Sequence, residues 1–181
     1  VARKPYDDYK TPEWCAETLL KTHPFMGPNI LEPCAGSGSI IKVLKKHRPA
    51  AWVDAVEIRP EERENLKQVA DNVITGDFLK WQPSQTYQTI ITNPPYSLAQ
   101  EIIEHALRIA QGRAEVIMLL RLAFLESQKR YDFWQKHPVS ALYVLSERPS
   151  FTGGGTDATA YAWFVWGKSV TQRVKVLSRK E

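Results

Sequence analysis

Along this chain, short apolar runs alternate with stretches whose apolar positions recur at helical spacing. Such runs predict buried strands, and the stretches between them predict helices over a mostly parallel sheet. Asn29–Pro33 is the first predicted strand, stopped by Cys34-Ala35-Gly36-Ser37-Gly38, and Ser39–His47 is the helix after it. Trp52–Ile58 is the second strand. Pro60 suits the opening turn of the next helix, because its fixed φ is already helical. Val73–Thr75 and Tyr87–Thr92 follow as strands, closed by Gly76-Asp77 and by Pro94-Pro95. Leu98–Ala110 carries Leu98, Ile102, Ile103, Ala106, Leu107 and Ala110 on one stripe, which predicts a helix. Glu115–Leu120 is a fifth strand. Gln128–Lys136 is a helix that stops ahead of Pro138, since the residue before proline avoids helical geometry. Ala141–Leu145 and Thr159–Trp166 are late strands, and Val170–Leu177 is a candidate edge strand.

A length of 181 residues corresponds to about one domain at ~100–200 residues each. No stretch approaches the ~18 unbroken apolar residues of a membrane span, and no secretory leader pattern opens the chain. Cys15 and Cys34 make neither a disulfide framework nor a zinc site, so a reducing, cytoplasmic setting is expected (the host cytoplasm if the chain is phage-encoded). His23, His47, His105 and His137 have no ligand-like spacing, and no metal is assigned. The net charge of +4 is uneven: residues 1–111 hold 13 basic and 14 acidic side chains, residues 112–181 hold 11 and 6. The later part is therefore the face expected to meet a polyanion, although charge alone does not establish one.

Three strand ends in succession carry chemistry. Gly36 and Gly38 allow a tight turn and close approach of backbone to a ligand. In an open α/β sheet that crevice is where ligands bind. The third glycine of a pyrophosphate fingerprint is absent, and so is a GxxxxGK[ST] loop, which argues against ATP phosphate chemistry. Glu57 closes the second strand, where a carboxylate can accept both hydroxyl hydrogens of a ribose. Asp77 and Phe78 close the third, suited to an adenine amine and ring face.

The fourth strand runs into Asn93-Pro94-Pro95-Tyr96. An exocyclic amine on a base is a poor nucleophile, because its lone pair is delocalised into the ring. The Asn93 side-chain oxygen and a proline-fixed carbonyl, that of Pro94, can each accept one amine hydrogen. Two acceptors at a fixed angle favour a pyramidal nitrogen whose lone pair points at a methyl donor. Pro94 and Pro95 supply rigidity, and Tyr96 supplies a flat face for a planar substrate.

Glu32-Pro33-Cys34-Ala35-Gly36-Ser37-Gly38, Glu57 and Asp77-Phe78 together resemble the class I S-adenosylmethionine-dependent methyltransferases. The resemblance implies a Rossmann-like α/β fold, a mostly parallel sheet with a late antiparallel strand and helices on both faces. It places the glycine loop, with Glu32, Pro33, Ala35, Gly36 and Gly38, against the methionine part of the cofactor. Glu57 then holds the ribose, and Asp77 and Phe78 meet the adenine. Asn93-Pro94-Pro95-Tyr96 narrows the resemblance to amino-methyltransferases, especially the N6-adenine DNA enzymes. Tyr9-Lys10-Thr11-Pro12 is similar to a Thr-Pro stretch that closes over the cofactor in many of them, which makes Tyr9, Thr11, Pro12 and Asn93 cofactor neighbours. The likeness covers residues 9–96, and the late hairpin carries it to about residue 166.

Only 15 positions separate Phe78 from Asn93, so no target-recognition domain fits between them. Residues 1–181 are expected to be one bare catalytic domain, as in small phage-type adenine methyltransferases. Substrate contacts are expected from Tyr96, Arg121, Phe151, Gly153 and Gly154, with Phe151 opposite Tyr96 across an extruded base. The partner expected is nucleic acid, DNA first and RNA second, with no membrane; a homodimer or a separate recognition partner stays open. The alternatives are an RNA base (adenine N6 or guanine N2), a glutamine side chain, or a non-catalytic binding subunit on the same fold.

Overall fold

A computed structural model of the chain describes residues 10–24, 27–151, 157–167 and 173–177. Its strands form one sheet in the order β3-β2-β1-β4-β5-β7-β6-β8. They are β1 (Asn29–Pro33), β2 (Trp52–Glu57), β3 (Asn72–Thr75), β4 (Thr89–Thr92), β5 (Glu115–Arg121), β6 (Ala141–Leu145), β7 (Tyr161–Trp166) and β8 (Arg173–Leu177). The first five run parallel, and β7 lies antiparallel between β5 and β6. The late antiparallel strand is thus present; β8 joins the edge parallel to β6.

Helices cover both faces because successive strand residues point to opposite sides. Ile117 and Leu119 of β5, with Tyr161, Trp163 and Val165 of β7, share a core with Cys15, Leu19, Ile40, Leu44 and Leu66. Those last residues belong to α1 (Glu13–Thr22), α2 (Ser39–His47) and α3 (Arg63–Lys67). Val116, Met118 and Leu120 face the other way with Ala162 and Phe164. There they meet Ile102, Ile103 and Ala106 of α4 (Ala99–Ala110) and Phe133 of α5 (Tyr131–Lys136). Of the predicted stripe, Ile102, Ile103, Ala106 and Ala110 are buried and Leu107 is partly buried, whereas Leu98 precedes α4 and is exposed.

Element bounds moved slightly. The fourth strand starts at Thr89 rather than Tyr87, and the Tyr87 hydroxyl donates to Asp54 Oδ2 at 2.6 Å. The late strand starts at Tyr161 rather than Thr159, and the expected helix from Gln128 opens as a short 3-10 turn, Gln128–Arg130. Helix α1 was not anticipated. Pro12 sits at its N-cap, and the Trp163 indole donates to the Cys15 carbonyl at 2.8 Å, tying the helix to β7. No helix among the described residues is long and apolar enough to cross a membrane.

Candidate active site

All the chemistry-bearing strand ends converge on the carboxyl edge of the parallel strands. After β1 the backbone enters the left-handed region three times, at Cys34 (φ 61°), Gly36 (φ 55°) and Gly38 (φ 78°). A side chain at Gly38 would place its Cβ 2.8 Å from Val69 Cγ2, so this glycine is required by space as well as by φ. Gly36 is different: the nearest atom to a notional Cβ is Arg59 Nη2 at 3.5 Å. Its amide instead donates to Glu57 Oε2 at 2.6 Å, which stitches the loop to the end of β2. The Ala35 amide donates to the Val56 carbonyl at 3.0 Å and makes a second stitch.

Glu57 is buried, and its other oxygen accepts from the Arg59 amide at 3.0 Å and from Arg59 Nε at 2.9 Å. Arg59 was not singled out from the sequence; its position two residues past the acid was the available signal. Glu32 is also buried, and burial, then the nearby Glu57 charge, hold its carboxyl well above the usual carboxylate range. Its Oε2 has no hydrogen-bond partner among the described residues. Burial raises the Cys34 thiol, and the charges of Glu57, Glu32 and Asp77 raise it further. Three carboxyl groups therefore surround the loop. Asp77 Oδ1 accepts from the Leu79 amide at 3.0 Å. Phe78 is packed into the core, with its ring edge-on to His105 at 4.8 Å between centroids. The expected cover over an adenine face is thus a largely buried ring.

Asn93 follows β4, and its Nδ2 donates to Thr11 Oγ1 at 3.0 Å. That bond joins the Thr11-Pro12 segment to the Asn-Pro-Pro-Tyr turn across 82 positions of sequence. The Tyr96 hydroxyl is buried beside Asn93 and Tyr161, and burial pushes its pKa up. Tyr161 in turn donates to Asp157 Oδ2 at 2.8 Å and accepts from Arg121 Nε at 3.2 Å. A polar file thus runs Asn93, Tyr96, Tyr161, Asp157. The Arg121 guanidinium carbon lies 5.0 Å from the Tyr96 ring centroid, over its face.

Tyr161 and Asp157 were missed in the sequence, where Tyr161 read only as core strand. It is core, but register pairs it with Arg121 and brings its hydroxyl to the site. Phe151 requires a correction. It is 7% exposed and packs edge-on against Tyr161 at 5.0 Å, so its ring is part of the core and not an open wall for a base. Tyr9, Gly153 and Gly154 lie outside the described residues. Pro33 and Pro94 are buried, Pro12 and Pro95 half-buried. Pro95 accepts the Leu98 amide at 3.0 Å, opening the turn that leads into α4.

Solved structures share this architecture. The M protein of the type I restriction enzyme EcoKI superposes with a TM-score of 0.69 at 15% identity, covering 90% of this chain and 44% of that one. The plantazolicin methyltransferase BpumL, solved with S-adenosylhomocysteine, gives 0.56 at 13% identity, covering 86% and 82%. The fold is that of the class I S-adenosylmethionine-dependent methyltransferases. Among curated proteins, the type II methyltransferase M.CvrRI of Paramecium bursaria Chlorella virus XZ-6E is 30% identical over 93 residues, 51% of this chain and 24% of that protein. A 4-amino-L-phenylalanine/4-methylamino-L-phenylalanine methyltransferase of Streptomyces pristinaespiralis is 31% identical over 90 residues, 43% and 31% of the two chains. The match to M.CvrRI thus spans about a quarter of that methyltransferase's length. No family model matches the chain.

Proposed function

We propose that the chain transfers a methyl group from S-adenosylmethionine to the exocyclic N6 amine of adenine in DNA. We read residues 1–181 as one catalytic domain, because the strands of the described residues form a single sheet. The observation that carries the reading is the placement of Asn93: at the end of β4, hydrogen-bonded to Thr11 and in the same polar file as Tyr96.

The residues present fit the cofactor. S-adenosylmethionine supplies, when bound, a methyl group on a positively charged sulfur. Glu57 and Asp77 bring negative charge near that position. The buried Glu32 Oε2 offers an acceptor to a donor of the methionine part, and Glu57 offers acceptors to the ribose. Gly36 keeps the loop surface low enough for close approach.

On the substrate side, Thr11 fixes one amide hydrogen of Asn93, and Tyr96 lies beside the same side chain. The carboxamide is thereby oriented, and its oxygen serves as acceptor for the target amine. With a second acceptor at the Pro94 carbonyl, the nitrogen lone pair would be turned toward the methyl group, so that an N–C bond replaces the S–C bond, whose electron pair stays on the departing sulfur. The methylated nitrogen, cationic and therefore acidic, would then lose its extra proton to water. Tyr96 stacks on the base, which must leave the helix to reach this edge.

The relatives support the acceptor class. M.CvrRI is named as a type II methyltransferase, and 4-amino-L-phenylalanine carries its amine on an aromatic ring, with the same delocalised lone pair. The deciding experiment supplies isotope-labelled cofactor with DNA, RNA, protein and aryl-amine pools and identifies the product by mass spectrometry. N6-methyladenine in DNA is expected. Label confined to RNA, glutamine or a free aryl amine overturns the DNA assignment.

A further inference from the structure

The Tyr96 ring face is covered by a planar cation. The Arg121 guanidinium sits 5.0 Å from the ring centroid, and its Nε donates to the Tyr161 hydroxyl at 3.2 Å. Asp157 accepts from that same hydroxyl at 2.8 Å, so the guanidinium is anchored through a fixed phenol. Arg121 is nevertheless solvent-exposed and ends β5, where one side chain can swing without unpairing the strand. The aromatic expected to form the second wall of a base slot, Phe151, is buried beneath Tyr161. The slot over Tyr96 therefore has a guanidinium where a second ring was expected.

We propose that Arg121 is that second wall: an extruded adenine enters between Tyr96 and Arg121 and is held between the phenol ring and the guanidinium plane. This rests on the reading of the site as one for a nucleobase. Guanidinium planes stack on aromatic faces and on splayed-out bases, and a planar π ring is the ligand most like the arrangement already there. Tyr161 and Asp157 are positioning residues, since they act on the base only through Arg121. Before a base arrives, Arg121 shields Tyr96 from water; once it arrives, the same group closes over it.

Stacking and charge make opposite demands on a substitution. Arg121→Lys keeps the charge and removes the plane, whereas Arg121→Phe keeps a plane and removes the charge. The probe is a single-stranded oligodeoxyadenylate, with binding followed by fluorescence anisotropy in the presence of S-adenosylhomocysteine. Methyl transfer to the same oligonucleotide is measured alongside, and circular dichroism checks that each variant is folded.

The lysine variant should bind roughly 5- to 150-fold more weakly, the range for loss of one stacking contact. The phenylalanine variant should bind more tightly than the lysine variant, with an unchanged log–log salt slope. A lysine variant that matches the wild type, or a phenylalanine variant no tighter than the lysine one, overturns the clamp. A salt slope shallower by about 0.7 in the phenylalanine variant reassigns Arg121 to a phosphate. If the wild type methylates DNA while the variants break this pattern, the clamp fails alone. If the wild type transfers no methyl group to DNA, the DNA reading fails and takes the clamp on an extruded DNA adenine with it.

Discussion

Glu57 illustrates how one side chain serves both fold and site. It receives three hydrogen bonds from the protein, one from Gly36 and two from Arg59. A carboxylate has about four acceptor positions, so a ribose must share with Arg59 or displace it. Glu57→Ala is expected to weaken S-adenosylmethionine by about 1.5–3 kcal/mol, as for a charge-assisted bond. Calorimetry giving wild-type affinity in a folded variant removes Glu57 from the cofactor site. Asn93→Ala separates binding from chemistry: cofactor affinity should persist while most turnover is lost, and near-normal turnover defeats the mechanism. Glu32 links the site to pH. Its folded pKa is raised by burial and by Glu57, so the folded state keeps a proton that the unfolded chain releases. Its stabilising effect is whole below the unfolded value and declines as pH rises toward the folded one, by up to ~1.4 kcal/mol per pH unit. Glu32→Gln should match the wild type at acidic pH and exceed it increasingly above pH ~4.5. Urea midpoints that run parallel across pH 4–8 contradict this.

At the scale of elements, the loop from β1 to α2 is the most demanding turn of the site. Gly38→Ala adds left-handed strain of about 1–2 kcal/mol to a 2.8 Å overlap with Val69. A loss of about 2–4 kcal/mol is expected in denaturant unfolding. Gly76→Ala, where no atom lies within 4 Å of a notional Cβ, should stay within about 0.5 kcal/mol. Equal costs at both positions refute the packing account. The strands β1, β6 and helix α2 were legible to the residue, because apolar runs and glycine punctuation are local signals. Helix α1 was not, since its anchor is a tryptophan in β7, 148 residues away. The same limit hid Tyr161 and Asp157 and misplaced Phe151. Their roles depend on which strand pairs with β5, and nothing local records that register.

For the molecule as a whole, the charge asymmetry places the positive excess in residues 112–181. Affinity for DNA should fall with salt, with a log–log slope of about −0.7 per phosphate contacted on a single strand. A flat salt response contradicts the proposed polyanion face. The position of β7 has a further consequence, for synthesis. Because β7 is inserted between β5 and β6, the edges that these two strands turn toward each other stay unpaired until residues 161–166 have been made. Translation at ~5–20 residues per second leaves the outer edge of β5 uncovered for about 2–9 s after Arg121. That edge is the apolar run Val116–Leu120, a segment prone to pair with other chains. The growing polypeptide thus carries an assembled glycine loop beside a sticky, half-built sheet. Newly made chains are where a holding chaperone should matter most, and a chain released before residue 161 should aggregate rather than bind substrate.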